Sequence, residues 1–392
     1  MGSLNRTTTL LLVLGASFTL AGCPQGPGWQ TPASIPTEVV SAVNDAILPM
    51  IRSGQGVGIV VGLIDNGQRY ELGYGSTSRL LGECPTGKTV FEIGSITKVF
   101  TSVLLAQTVN QGGLALAEPV QPHLSEGVTL PSFEGREITF LDLATHTSGL
   151  PGIPDDLASA PGYCVLNPYA HYTVESLYAF LSRYELARAP GVQYEYSNLG
   201  FGLLGNVLAS KAGTSYEELV RSRICEPLSL GDTSISLSDD QRRRLAKGYS
   251  TFLSLGGRSL VMGTPTWDLP AFEGAGALRS TLDDMCSFAE ACMALVDTPL
   301  EDAIALSVEP RFTVNEFLSV GLGWHLLDPG DGGEPVVWHN GGTGGYTSFM
   351  GLLPARKTAV IVLNNTDAGP DLAALRILGQ LAGRDFVGPS PA

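Results

Sequence analysis

Three short stretches of the 392-residue sequence carry residues whose types and spacing could do chemistry. In "FEIGSITKVF" (residues 91–100), Lys98 follows Ser95 by three positions. On a helix those two positions share a face, so the amine reaches the hydroxyl. Serine is a poor nucleophile until a base takes its proton, and a desolvated lysine has a lowered pKa that suits it to that task. The residues that follow, "VFTSVLLAQ", are apolar enough to bury the helix, and burying an ammonium is costly unless it is paired or neutral. The plain alternative is a surface lysine beside a capping serine. In "GVQYEYSNLGFG", Tyr196 and Asn198 stand two apart just before a helical pattern. An extended segment would point both the same way, a phenol for proton relay and an amide for a lysine or a substrate carbonyl. The plain alternative is a tyrosine packed at a helix entry. In "VVWHNGGTGG", an apolar strand delivers His339 and Asn340, followed by Gly341 and Gly342. Glycines there would let a substrate lie against the strand, with a backbone N–H joining that of Ser95 to hold an oxyanion. The plain alternative is a glycine-rich turn beside a core histidine.

Taken in order, the three motifs resemble those of the penicillin-recognising serine hydrolases: class C β-lactamases, DD-carboxypeptidases and related esterases and D-amino-acid peptidases. The SxxK, YxN and K/HxG patterns of that family correspond to Ser95–Lys98, Tyr196–Asn198 and His339–Gly341. "HTSGLPG" (146–152), "ICEPLSLGDTS" and "AGALRSTLDD" also look like segments common in it, so the resemblance spans about residues 37–385. It implies an α/β fold of the β-lactamase/transpeptidase type: a five-stranded antiparallel sheet flanked by helices, plus a mostly helical inserted region. It further implies Ser95 as nucleophile, Lys98 as proton acceptor and Tyr196 as partner acid/base. Asn198 would position the substrate, His339 would line the site electrostatically, and the N–H groups of Ser95 and Gly342 would form the oxyanion hole. The expected activity is hydrolysis through an acyl-enzyme of a β-lactam, a D-amino-acid peptide from peptidoglycan or a small ester. The alternative from a different class is a penicillin-binding sensor that acylates and deacylates slowly or not at all.

The sequence departs from that pattern at the third motif. Asn340 stands where carboxylate-reading members carry threonine, and Gly342 follows where they carry a hydroxyl residue. Asn340 retains one amide hydrogen bond for a substrate, Gly342 only its backbone N–H, and His339 is no permanent cation near neutral pH. These substitutions predict weak discrimination in favour of substrates with a free carboxylate. Thr343, one residue on, could compensate if the turn is bulged.

The elements that must position these residues follow from hydrophobic periodicity. Residues 37–53 read as an amphipathic helix, and "GVGIVVGLIDNGQRYELGYGST" as a hairpin turning at Asp65–Gly67. Strands return in "GLGWHLL", "PVVWHNG", "GYTSFMGLLP" and "TAVIVLNN" before a last helix, "DLAALRILGQLAG". One sheet assembled from both ends of the chain is the economical solution. Its sheet region covers about 37–99 and 272–385, with helices over about 100–271. At the start of the second sheet segment, "GALRSTLDDMCSFAEACMALV" reads as another helix with Ser280 or Thr281 as its N-cap.

Composition sets the remaining bounds. A net charge of −15 with no basic cluster beyond Arg242–Arg244 argues against nucleic acid as a partner. No CxxC or HExxH occurs, so neither a metal nor another cofactor is implied. The N-terminal apolar run "LLLVLGASFTLAG" ends in Leu20-Ala21-Gly22-Cys23, resembling a bacterial lipobox. The expectation is a signal peptide over 1–22, lipid on Cys23, a Pro/Gly-rich tether over 23–36, and a domain held at a membrane facing the cell-envelope compartment. Of the other five cysteines, Cys84 and Cys164 lie in loops of an exported chain and are the expected disulfide pair.

Overall fold

The computed structural model describes residues 35–387; Cys23, the lipobox and most of the tether lie outside them. Strands β1 (Gly58–Asp65) and β2 (Gln68–Gly75) form the expected hairpin, with Asp65 paired to Gln68 and Asn66 and Gly67 both left-handed. That turn geometry matches the twist of the strands it joins. The chain returns to this sheet near its other end with β7 (Phe312–Thr313), β8 (Leu318–Val320), β9 (His325–Leu327), β10 (Val336–Gly342), β11 (Thr347–Leu353) and β12 (Thr358–Asn364). The order is β2-β1-β12-β11-β10-β9-β8-β7, antiparallel throughout. The sheet thus has eight strands where five are expected. The extra ones are the two- and three-residue strands beyond β10: β9 falls in "GLGWHLL", read as a strand above, while β7 and β8 are too short for alternation in the sequence to reveal.

The long strands separate two cores by their period of two. On β1, Val60 and Ile64 face one core while Ile59, Val61 and Leu63 face the other; on β12, Ala359, Ile361 and Leu363 oppose Val360 and Val362. Helices α1 (Thr37–Ser53) and α12 (Asp371–Ala382) cover the second face through Val39, Val43, Ile47 and Met50 and through Ala374, Ile377 and Leu378. Full burial of such a side chain stabilises by about 1.5–3 kcal/mol.

The first face is covered by the helical region. It comprises α2 (Thr97–Asn110), α3 (Phe140–Ala144), α4 (Val174–Arg183), α5 (Asn198–Ala212), the short α6 (Tyr216–Val220), α7 (Glu226–Leu228) and α8 (Asp239–Arg244), then α9 (Glu273–Gly276), α10 (Leu282–Cys292) and α11 (Glu301–Val308). Two details differ from the sequence expectation. A hairpin of β4 (Tyr249–Leu255) and β5 (Arg258–Gly263) interrupts the helical part. The segment ahead of the expected N-cap is also more than a lead-in: after the short α9, Arg279–Thr281 is a strand, β6, paired with β3 (Val90–Glu92) just ahead of Ser95. Thr281 then caps α10 by accepting from the Asp284 N–H. The strand owes its existence to a partner nearly two hundred residues earlier, which no local pattern reports.

The expected Cys84–Cys164 bridge is absent, since Cys164 carries a free, exposed thiol. Cys84 lies against Gly73 of β2, whereas the loop of Cys164 is tied through Leu166 and Asn167 to Trp267 and Asp268. Loop composition placed both cysteines on the surface but said nothing of which surface.

Candidate active site

Ser95 lies in a single 3₁₀ turn, Gly94–Ile96, that feeds directly into α2. Helix α2 has no distinct polar face and is buried from Thr97 to Ala106, Lys98 included. The turn is pressed against β10. Gly94 has φ of +50°, and a Cβ there would lie 2.6 Å from the Gly342 nitrogen; a Cβ on Gly341 would lie 2.0 Å from the Ile93 carbonyl oxygen. Only residues without a side chain permit this approach, which brings the backbone at Gly342 beside the one at Ser95.

Lys98 Nζ sits at the centre of a three-way contact: 2.9 Å from Ser95 Oγ, 2.8 Å from Asn198 Oδ1 and 2.7 Å from the Ala275 carbonyl oxygen. Burial pushes its pKa well below the ordinary lysine value. Two of the three partners are acceptors only. In the neutral amine, two N–H groups satisfy those acceptors and the lone pair is left facing the Ser95 hydroxyl. Asn198 opens α5, with Ser197 as its N-cap accepting from the Gly200 N–H. Tyr196 lies under Lys98, whose nitrogen is 4.7 Å from the ring centroid. Burial raises the phenol's pKa, and a hydrogen bond with Ser95 acts in the opposite sense. Ser95, Lys98, Tyr196 and Asn198 therefore form one hydrogen-bonded cluster.

The third motif splits. Gly341 and Gly342 lie beside the Ser95 turn, and Gly342 and Thr343 line the cleft above Ser95. Asn340 does not: its amide Nδ2 donates to Asp371 Oδ1, at the first residue of α12 behind the sheet. Strand alternation is the reason, because Asn340 shares a face with Trp338, which packs into the second core. The amide hydrogen bond expected for substrate is already used. His339 is fully buried, its Nδ1–H donating to the Asn340 carbonyl at 2.5 Å, with its ring 6.2 Å from Tyr196 and 5.1 Å from His325. Burial first, then His325 and Lys98, hold it well below the usual histidine pKa. It is neutral and packs beneath the site rather than along the cleft.

Several residues at the site were not singled out from the sequence. Tyr169 closes one side of the cleft with Trp267, Leu269 and Phe272, and it hydrogen-bonds Asn198. The Ala275 carbonyl that binds Lys98 carries no residue-type signature at all. For Tyr169 the only trace was a tyrosine in the loop "LNPYAHYT".

The chain is similar to known proteins over most of its length. A family model described as "Beta-lactamase" matches residues 43–384. The chain is 29% identical over 340 residues to the D-alanyl-D-alanine-carboxypeptidase/endopeptidase AmpH of Escherichia coli (strain K12), covering 83% of this chain and 84% of that one. It is 26% identical to a beta-lactamase of the same organism over 92% of this chain and 94% of that one. Among solved structures, a beta-lactamase/D-alanine carboxypeptidase from Yersinia pestis complexed with citrate superposes with a TM-score of 0.74 at 22% identity, covering 88% and 99% of the two chains. A class C beta-lactamase superposes with a TM-score of 0.75 at 22% identity, covering 91% and 99%. The fold is that of the class C enzymes, and the chain belongs to the beta-lactamase family of serine hydrolases.

Proposed function

We propose that this hydrolase acts through an acyl-enzyme on Ser95, and that it does not require a free carboxylate on the leaving group of its amide or ester substrate. The observation that carries the reading is Lys98: fully buried, bonded to two obligate acceptors, and 2.9 Å from Ser95 Oγ. Ser95 Oγ attacks the substrate carbonyl as its proton passes to Lys98. The oxyanion is held by the N–H groups of Ser95 and Gly342. Collapse of the tetrahedral species breaks the bond to the leaving group, which takes a proton relayed from Lys98 through Tyr196. Water then attacks the ester carbonyl, with the same bases accepting its proton, and the acid leaves as Ser95 regains its hydrogen.

The indifference to a carboxylate rests on the third motif. The Asn340 amide is committed to Asp371 and His339 is buried and neutral, so neither offers a carboxylate a charge-assisted contact. Such a contact is worth about 1.5–3 kcal/mol, or one to two decades in rate. Thr343 remains at the cleft with only a hydroxyl to offer. AmpH is named for both carboxypeptidase and endopeptidase activity, and an endopeptidase cleaves where no carboxylate adjoins the scissile bond. Peptide bonds of that kind in peptidoglycan suit this site, as do neutral esters. We further propose that the domain is exported and held at a membrane by lipid on Cys23; release of a Cys23→Ser variant from the membrane fraction tests this.

The substrate reading is tested with purified protein on a D-Ala-D-Ala peptide, its C-terminal amide, a short nitrophenyl ester and a chromogenic β-lactam. The expected result is comparable hydrolysis of acid and amide, measurable ester hydrolysis and slow β-lactam turnover. Cleavage of the acid alone contradicts it.

A further inference from the structure

The segment "HTSGLPG" (146–152) contributes no group to the catalytic cluster, yet it holds the chain that does. His146 follows α3 with φ of +59°, a left-handed conformation that a helix end ordinarily gives to glycine or asparagine. A glycine would satisfy the backbone there, so the imidazole needs its own reason. The residue is only 2% exposed, and its ring lies 4.4 Å from that of Tyr196 and 4.8 Å from that of Phe201. Its carbonyl accepts from the Glu195 N–H at 2.7 Å and its Nδ1 from the Ser197 N–H at 3.1 Å. One residue thus ties down both neighbours of Tyr196 and supports its ring from below. The rest of the segment continues the clasp: the Pro151 carbonyl accepts from Ser197 Oγ, and the Gly152 carbonyl from the N–H groups of Asn198 and Leu199.

We propose that His146 is a positioning residue for Tyr196, fixing the phenol against Lys98 and Ser95 by its ring and by an Nδ1 that must stay unprotonated to accept. This rests on the role of Tyr196 set out above. Burial, with Lys98, His325 and His339 nearby, keeps the imidazole neutral, as the acceptor role requires. Phe201 completes the support from α5.

A double-variant cycle tests it on an ester substrate. His146→Gly, which the backbone accommodates, is expected to lower kcat about 100-fold with KM changed less than about 3-fold, the scale on which small misplacements of catalytic groups act. His146→Asn keeps an acceptor and tolerates the left-handed backbone but lacks the ring, and is expected to recover part of that loss. In a Tyr196→Phe background, His146→Gly is expected to cost less than about 3-fold more, because the group it positions is gone. Losses that multiply, or an unchanged kcat in His146→Gly, overturn the proposal. If Tyr196→Phe alone retains full activity, the role of Tyr196 fails and the proposal falls with it. Should His146→Gly not fold, the Asn variant carries the same cycle.

Discussion

The two walls of the cleft are built on opposite plans. On the helical wall, function lies in side chains: Lys98, Asn198 and Tyr196 converge on Ser95. On the strand wall, the proposed function lies in the backbone, because no side chain of β10 reaches the cleft. Asn340 goes to Asp371 behind the sheet, His339 goes to its own neighbour's carbonyl, and Gly341 and Gly342 have none to offer. The first wall sets the chemistry and tolerates little change in residue type. The second sets how closely a substrate can approach, and it tolerates changes of type wherever no Cβ intrudes.

The comparison breaks most readily on the helical wall. Lys98→Arg is expected to lower kcat by about a thousandfold or more, since a guanidinium does not release its proton near neutral pH. Steady-state kinetics with the thermal midpoint recorded alongside checks this, and near-wild-type turnover would remove lysine from the proton path. On the strand wall a somewhat smaller loss should follow from the smallest side chain. Gly341→Ala would place a Cβ 2.0 Å from the Ile93 carbonyl oxygen, forcing β10 off the Ser95 turn and shifting the Gly342 N–H. A displacement near 1 Å costs about 100-fold in rate, read as a fall in kcat for ester hydrolysis.

Lys98 also makes a prediction about stability. Its pKa is lowered on folding from the ordinary 10.5. Between the lowered value and 10.5, the unfolded chain therefore binds a proton that the folded chain does not, and stability rises with pH across that window. Wild type should gain on Lys98→Met by up to about 1.4 kcal/mol per pH unit as pH is raised through that window towards 10. Denaturant titrations of the pair supply the measurement, and parallel curves would mean that the amine is charged in the folded protein. The smallest effect on activity is expected at Asn340. Asn340→Ala removes the bond to Asp371, costing about 1–3 kcal/mol of stability, while activity on a neutral ester changes less than about 3-fold. A large loss of activity without a loss of stability would return Asn340 to the cleft.

How much of this was legible in the sequence follows the same division. Ser95, Lys98, Tyr196 and Asn198 could be named because the roles proposed for them demand particular residue types at short spacings, and those survive without knowledge of the fold. The hairpin of β1 and β2 and the strands of alternating burial were legible for the same reason: a local period reports them. The misplacement of Asn340 was avoidable in principle, since residues 338 and 340 must share one face of a strand whose 339 and 341 share the other. What could not be read were contacts joining distant segments. The Ala275 carbonyl meets Lys98 across 177 residues, and β6 exists only because β3 is there to pair with it. Tyr169 reaches Asn198 from a loop without periodicity. His146 stood inside a segment already singled out by its likeness to a family, but its purpose required seeing which residues it touches.

The most direct test of the account is where a covalent inhibitor lands. Purified protein treated with a fluorophosphonate, digested and mapped by mass spectrometry is predicted to carry one adduct, on Ser95, formed many times more slowly in Lys98→Arg. An adduct on another serine, or equal labelling rates in the two proteins, would contradict it.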